Sequence, residues 1–470
     1  MMSRNELDGG NIMNTINLSQ VEKRGFPFRY HILTYGCQMN EHDSEIIAGL
    51  LENMGYTPSN QLEDADLIIV NTCCVRESAE EKIYGKIGSL KALKMVNPDL
   101  VVGVSGCMAQ KPDESKIIRK RAPFVDFIIG TDTMQELRGV LTKVYQDRLP
   151  TVCISTDEYR RIADRLPRAR SERHKAWVTI MHGCNNFCSY CIVPFVRGRE
   201  RSRTPESIIA EVIDLVGDGV KEITLLGQNV NSYGQGLSEE NDFSDLLRKI
   251  DRIDGIERIR FMTSHPKDLS AKLMNVMGSG KHICHHIHLP VQAGSNQVLK
   301  SMNRGYTRED YLELVKSIRE TLPGCSITTD IIVGFPGESD DNFEDTLDLV
   351  RQIRWNAAYT FLYSNRSGTK AAQMSQQIAD QTKKVRLQKL MALQNVISLQ
   401  YHQEQVGRTV EVMIDGESRT NPDVWSSRTA TNELVLFPKI RALSSQGPGD
   451  RVQVRIVEGK TWTLHGQAEI

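Results

Sequence analysis

The sequence predicts an α/β protein in three parts: an N-terminal open, mostly parallel sheet, a central partial (βα)6 barrel and a C-terminal small β-barrel. Three observations carry that prediction. Strand-like apolar runs alternate with helical periods from about residue 28 to 145. The strand–helix rhythm then repeats six times between about 176 and 375. Over roughly the last 65 residues the texture changes to short alternating strands separated by Gly, Pro and Asn.

Each part follows from its residues. Residues 1–26 are polar and rich in Gly and Asn, and read as a disordered, frayed tail. In the N-terminal domain, 27–146, FRYHILTYG leads into a helix over about 40–54 and DLIIVNT into one over about 76–95. LVVGVSG and VDFIIG follow, each with a polar helical stretch behind it, which completes βαβαβαβα. A basic linker occupies 147–175. The barrel and a bridging helix occupy 176–403, with strands at WVTIMHG, EITLLGQN, RIRFMTS, HHIHLPV, SITTDIIVG and NAAYTFLYS. Eight such units would close an ordinary barrel, and six leave it partial. A long helix over about Ala379–Val406 leads out of it. The last domain, 404–470, has strands at TVEVMIDG, ELVLF, RVQVRIVEG and TWTLHG, and is OB-like in size.

A length of 470 residues agrees with about three domains. At 40% hydrophobic and 25% charged, the chain is globular and not wholly disordered. It has no apolar run long enough to span a bilayer, and its first residues lack the apolar core of a signal peptide. The expectation is a cytoplasmic protein without a membrane partner. Its ten cysteines are then reduced thiols, not disulfides.

One tight group of those cysteines follows the first barrel strand: Cys184, Cys188 and Cys191, in GCNNFCSYC. Three thiolates on one loop can hold a metal centre. Zinc would want a fourth ligand, for which His182 is the near candidate. A 4Fe–4S cluster on three cysteines would leave one iron open to a substrate or cofactor. In the N-terminal domain, Cys37, Cys73 and Cys107 follow three successive strands, where open α/β sheets place ligands. Single cysteines are often merely buried, yet three at equivalent strand ends point to a second cluster site. Between Arg160 and Arg203 lie eleven Lys or Arg against three acids. Composition alone favours a solvated linker there, although a phosphate backbone would also suit it.

The Cys184–Cys191 motif, with Tyr190 before its last cysteine and a partial barrel behind it, resembles the radical S-adenosylmethionine (SAM) enzymes. In that superfamily the open iron chelates SAM, and an electron from the cluster cleaves it to a 5′-deoxyadenosyl radical. More of the chain resembles one family within it, the methylthiotransferases: TYGCQMN, NTCCVRESAEEK, GCMAQ, YCIVPFVRGRERSR, LLGQNVNSYG, TSHP, HHIHLPVQAGSNQVLKSMNRGYTRE and TTDIIVGFPGE. The resemblance runs over about 28–470 in the family's domain order and implies a C-terminal TRAM domain that binds RNA. It also implies two 4Fe–4S clusters, with SAM as both methyl donor and radical source. By the family's motif, Cys37, Cys73 and Cys107 hold the auxiliary cluster, and Cys184, Cys188 and Cys191 the SAM cluster. Spacing does not choose between Cys73 and Cys74; the motif chooses Cys73. Ala293 stands where the family more often shows Ser.

The branch it most resembles inserts sulfur at C2 of isopentenyl-adenosine beside the tRNA anticodon and leaves a methylthio group. The alternatives are methylthiolation of a threonylcarbamoyl-adenosine tRNA or a ribosomal-protein aspartate, or a non-catalytic iron–sulfur RNA-binding protein. Beyond the cluster ligands no catalytic side chain is expected. Tyr190, Gln228, Asn229, Asp330, Gly334 and Glu338 are candidate cofactor contacts, and Arg197, Arg199, Arg201, Arg203 and Arg304 candidate RNA contacts. The expected partners are the tRNA anticodon loop, an electron donor such as a flavodoxin or ferredoxin, and a sulfur source, acting on a monomer. His282, Cys284, His285, His286 and His288 read mainly as structural barrel residues, and Cys153, Cys284 and Cys325 as bystanders.

Overall fold

The computed structural model describes residues 28–74, 77–111, 113–155, 166–237, 241–440 and 445–469. The expected N-terminal tail lies outside the described residues, as do Arg160, Arg161 and Arg165 of the basic segment.

Six parallel strands form the N-terminal sheet: β1 (Arg29–Thr34), β2 (Thr57–Pro58), β3 (Leu67–Thr72), β4 (Val101–Gly106), β5 (Phe127–Ile129) and β6 (Thr151–Cys153). Their order is β2-β1-β3-β4-β5-β6. Every residue of β3 and β4 is buried, as a parallel strand covered on both faces requires. The strand order reverses between β1 and β3, and such a switch point opens a crevice at the strands' carboxyl ends. Two strands depart from the four expected: β2 and β6 are edge strands of two and three residues, too short to show a period. Because β6 pairs with β5, the segment read as the start of a linker belongs to this sheet.

All six expected barrel strands form. They are β7 (Lys175–Thr179), β10 (Glu222–Leu226), β11 (Arg258–Phe261), β12 (His286–His288), β13 (Ser326–Val333) and β14 (Ala357–Leu362). They run in chain order as two parallel triplets, joined by a parallel bridge between Ile259 and Ile283. A short antiparallel pair, β8 (Met181–His182) with β9 (Arg201–Ser202), closes the base of the cysteine loop. The helices start where polar caps allow it. Thr204 accepts from Ser207 N ahead of Pro205–Gly217, and Ser339 from Asn342 N ahead of Asp340–Ile353, each cap being worth ~1 kcal/mol. The bridging helix, Asp380–Gln403, buries Leu390 and Ile397 in the barrel core.

The C-terminal domain is a closed five-stranded barrel, β15 (Thr409–Ser418), β16 (Asn421–Thr429), β17 (Leu434–Pro438), β18 (Arg451–Gly459) and β19 (Leu464–Ala468). Strand β16 was not expected, because NPDVWSSRT opens with turn residues and continues with hydroxyls. This domain docks on the N-terminal ends of β7, β10 and β11. Lys175 pairs with Asp415, and Lys221 Nζ donates to Asp450 Oδ1 at 3.2 Å. Arg258 Nη1 donates to Arg428 O at 2.7 Å, and Arg260 Nη2 to Thr429 O at 2.8 Å. Among the described residues no helix is long and apolar enough to cross a membrane.

Candidate active site

The barrel cysteines lie past the end of β7, on a loop fastened from beneath by residues 301–304. Ser189 N donates to Met302 O at 3.0 Å, and Ser189 Oγ to Ser301 O at 2.8 Å. Asn303 Nδ2 reaches the carbonyls of Asn186 and Phe187 at 3.2 and 3.1 Å. Arg304 is buried and donates to Cys188 Sγ at 3.3 Å, Tyr306 Oη at 2.9 Å and Pro290 O at 2.8 Å. Burial pushes the Cys184 thiol up and that of Cys191 up to about 12, with Cys188 adding to both. A metal centre binding here would draw off the protons of both thiols.

The N-terminal cysteines converge at the switch-point crevice. Cys37 caps the helix Gln38–Glu52, directly after Gly36 at φ 141°. A Cβ at Gly36 would lie 2.8 Å from Cys73 Cβ, so the turn after β1 abuts the end of β3. Gly106 at φ 96° brings the end of β4 equally close, since a Cβ there would lie 2.2 Å from Thr72 O. Two buried asparagines tie the turns together: Asn40 Nδ2 donates to Thr72 O at 3.1 Å, and Asn71 Nδ2 to Asn40 O at 2.8 Å. Cys74 is buried in the same core as Cys107. The neighbouring Cys107 sulfur and burial hold the Cys74 thiol well up, while Cys74 and the Arg197 guanidinium bring the Cys107 thiol down against its own burial. Cys37 alone of the N-terminal group is exposed.

Among the described residues no three His, Cys, Asp or Glu side chains close on a point where one metal ion would sit, the two cysteine groups included. The histidines of β12 are structural: His286 Nε2 and His288 Nδ1 both pair with Thr328 Oγ1, each at 3.0 Å.

Several residues expected from the sequence to meet cofactor are placed otherwise. Asn229 is a strut: its Nδ2 donates to Asp268 Oδ2 at 2.7 Å and its Oδ1 accepts from His265 N at 3.1 Å. Gly334 N donates to Glu338 Oε2 at 2.7 Å, and Arg386 Nη1 of the bridging helix pairs with that same oxygen at 2.7 Å. Glu338 is therefore a buried ion-pair partner. Glu338→Ala should cost about 1–3 kcal/mol through the lost charge-assisted bond, Arg386 keeping Asp340 Oδ1 at 2.7 Å, read as a lower denaturation midpoint with SAM affinity retained; weakened SAM binding at unchanged stability would contradict this. Tyr190 stands beside Arg304, with Nη1 to Oη at 3.5 Å. Asp330 is half-buried, 3.5 Å from His288 Nε2, and Gln228 Oε1 is buried without a protein partner.

The expected RNA-contacting arginines need a larger correction. Arg197 is buried and pairs with Asp43 at 2.7 Å. Arg201 pairs with Asp132 at 3.4 Å, and Arg203, also buried, with Glu211 at 2.7 Å. Arg304 holds the cysteine loop. Of the five only Arg199 is exposed, its guanidinium 4.4 Å over the Phe187 ring. Two of these pairs, Arg197–Asp43 and Arg201–Asp132, fasten the barrel to the N-terminal domain. The sequence reading missed Asn303 as a residue serving the site, and gave Arg304 the wrong task. Their only signal was a place in the SMNRGY segment.

Three family models match the chain: the uncharacterized protein family UPF0004 over residues 29–130, the Radical SAM superfamily over 178–350 and the TRAM domain over 403–468. A tRNA-2-methylthio-N(6)-dimethylallyladenosine synthase of Desulforamulus reducens is 52% identical over 438 residues, covering 93% of this chain and 95% of that protein. The chain belongs to the radical SAM methylthiotransferases. A second member of the family, the same synthase from Moorella thermoacetica, is 50% identical over 93% of this chain and 98% of its own length. Among solved structures, two of the radical SAM methyltransferase TsrM from Kitasatospora setae share the fold. One has a TM-score of 0.53 at 16% identity, over 73% of this chain and 77% of that one. The other has 0.52 at 15%, over 71% and 72%. As a radical SAM methylthiotransferase the protein uses SAM and iron–sulfur chemistry.

Proposed function

We propose that this protein converts isopentenyl-adenosine next to the tRNA anticodon to its 2-methylthio derivative, replacing the C2 hydrogen by sulfur and methylating that sulfur. The observation that carries the proposal is the pair of cysteine groups, each at the carboxyl ends of its own parallel sheet, in a chain half identical to synthases named for that product. An aromatic C–H offers neither a leaving group nor useful acidity, so acid–base chemistry at neutral pH does not suffice. One 4Fe–4S cluster on Cys184, Cys188 and Cys191 would supply the electron that cleaves SAM, and a second on Cys37, Cys73 and Cys107 would carry the sulfur.

The protein's own residues bind and position. Arg304 and Asn303 fix the barrel cysteine loop, so the cluster site is set before SAM arrives. The unpartnered Gln228 Oε1 is a ready acceptor for SAM, and Tyr190 and Asp330 are further candidates for contact. Exposed Arg199 and the TRAM barrel would meet RNA phosphates, which position a loop without reading its bases. The target base must leave its stack, which a single-stranded anticodon loop permits. The protein works as a monomer, fed by a low-potential flavodoxin or ferredoxin and by a sulfur source.

Mass spectrometry of tRNA nucleosides from a strain lacking the gene tests this reading. The 2-methylthio nucleoside should disappear and isopentenyl-adenosine accumulate. An unchanged profile, or loss confined to threonylcarbamoyl-adenosine derivatives, would overturn it. Anaerobic reconstitution should load about eight irons per chain, as two cubanes require; four or fewer at saturation would remove the second cluster.

A further inference from the structure

The segment leaving the barrel cysteine loop enters the N-terminal domain. Within five residues of Cys191 it has placed Ile192 and Val196 in the core that also holds Cys74, Cys107 and Met108. The short helix Val193–Val196 ends there, with Arg197 N bonded to Val193 O at 2.8 Å and Thr131 Oγ1 donating to Val196 O at 3.4 Å. Arg197 follows, 3% exposed. Its Nε donates to Cys107 Sγ at 3.2 Å and its Nη2 to Asp43 Oδ2 at 2.7 Å. Cys37 also lies within its electrostatic reach. Its Nη1 and the Asp43 Oδ1 are buried with no protein partner.

A buried ion pair with an unused donor is costly in a finished fold, where such groups are normally satisfied. The cost has a reason if an anionic group occupies the crevice. Three thiolates on a cubane supply one, and reduction adds a further negative charge. A fixed cation within hydrogen-bonding distance of a ligand sulfur favours the reduced form, because potentials respond to net charge and to N–H···S bonds.

We propose that Arg197, carried into the N-terminal domain by the barrel's own cysteine loop, is a positioning residue that hydrogen-bonds Cys107 and raises the reduction potential of the auxiliary cluster, with Asp43 restraining it. This rests on the two-cluster reading above. Asp43 acts in the opposite sense, since its carboxylate is a nearby negative charge and occupies one arm of the guanidinium. The two residues should therefore move the potential in opposite directions, which a merely structural role would not do.

The test uses the full chain with Cys184, Cys188 and Cys191 all changed to Ala, so that only the N-terminal triad can load. After anaerobic reconstitution, iron is counted and the cluster is titrated by electron paramagnetic resonance at set potentials. About four irons should be present; none would overturn the two-cluster reading itself. Adding Arg197→Gln should move the midpoint negative by about tenfold in the reduction equilibrium, ~59 mV for one electron. Arg197→Lys should fall between that and the parent, and Asp43→Asn should move it positive. A loaded Arg197→Gln protein with an unshifted midpoint overturns the inference, as does a shift of both variants in the same direction. If Arg197→Gln fails to load, Asp43→Asn decides alone, and an unmoved midpoint there counts against it.

Discussion

Alanine at any one of Cys184, Cys188 or Cys191 should abolish 5′-deoxyadenosine formation, with reduced protein and excess SAM giving only background. The loop has no substitute ligand of the right kind. The sequence holds no other cysteine between Cys153 and Cys284 that could replace one of the three, and His182 lies in β8. Cleavage of the sulfonium C–S bond also has no bypass, since it needs a low-potential electron that no side chain supplies. Chromatographic assay of 5′-deoxyadenosine under strict anaerobiosis checks this. Retained cleavage in any single variant would mean that the loop is not the SAM site.

The N-terminal group should fail differently. Alanine at Cys37, Cys73 or Cys107 should stop formation of the methylthio nucleoside while 5′-deoxyadenosine continues to appear, because the barrel site remains intact. Cys74 marks the contrast. It packs in the core beside Cys107, so Cys74→Ala disturbs the surroundings of a ligand and should weaken cluster retention by at most about 10–100-fold while product still forms. Methylthio product from the Cys37, Cys73 and Cys107 triple variant would show that sulfur is not delivered from that site. An inactive Cys74→Ala beside an active Cys73→Ala would exchange the two ligand assignments.

The large repeating features were legible in the sequence. Strands such as LIIVNT and SITTDIIVG are apolar because both faces are covered, and their spacing gave the six barrel units. Cysteines directly after strands could be placed at sheet ends without coordinates, since a strand's end is a local property. Partnerships across the chain were not legible. Arg197 and Asp43 lie 154 positions apart, and a basic string has the same composition whether solvated or folded onto acids. Asn229 shows the same limit, as its polar atoms are used by His265 and Asp268, and Glu338 shows half of it, with Oε2 taken by Arg386 and Oε1 left without a protein partner. Strand β16 was hidden by its own side chains, whose hydroxyls suit turns, whereas in the barrel Ser427 and Thr429 are buried and Ser427 Oγ donates to Val435 O at 2.8 Å.

The TRAM barrel grips the starting ends of β7, β10 and β11, whereas the cysteine loop leaves the finishing end of β7. The three strands it grips are four or five residues long, which at ~3.3 Å per residue puts roughly 13–17 Å between those two faces. An RNA held at one face and read at the other is thus measured as by a pair of calipers, and only a molecule long enough to pass round the barrel's flank touches both jaws. Reversing the charge at exposed Arg419 and Arg455 should weaken binding of whole tRNA and flatten its salt dependence. A bare anticodon-loop oligonucleotide, without the stem that would reach the second jaw, should bind the altered protein as it binds the parent. Equal loss for both RNAs in a filter-binding series would mean that the two faces act on one short stretch of substrate.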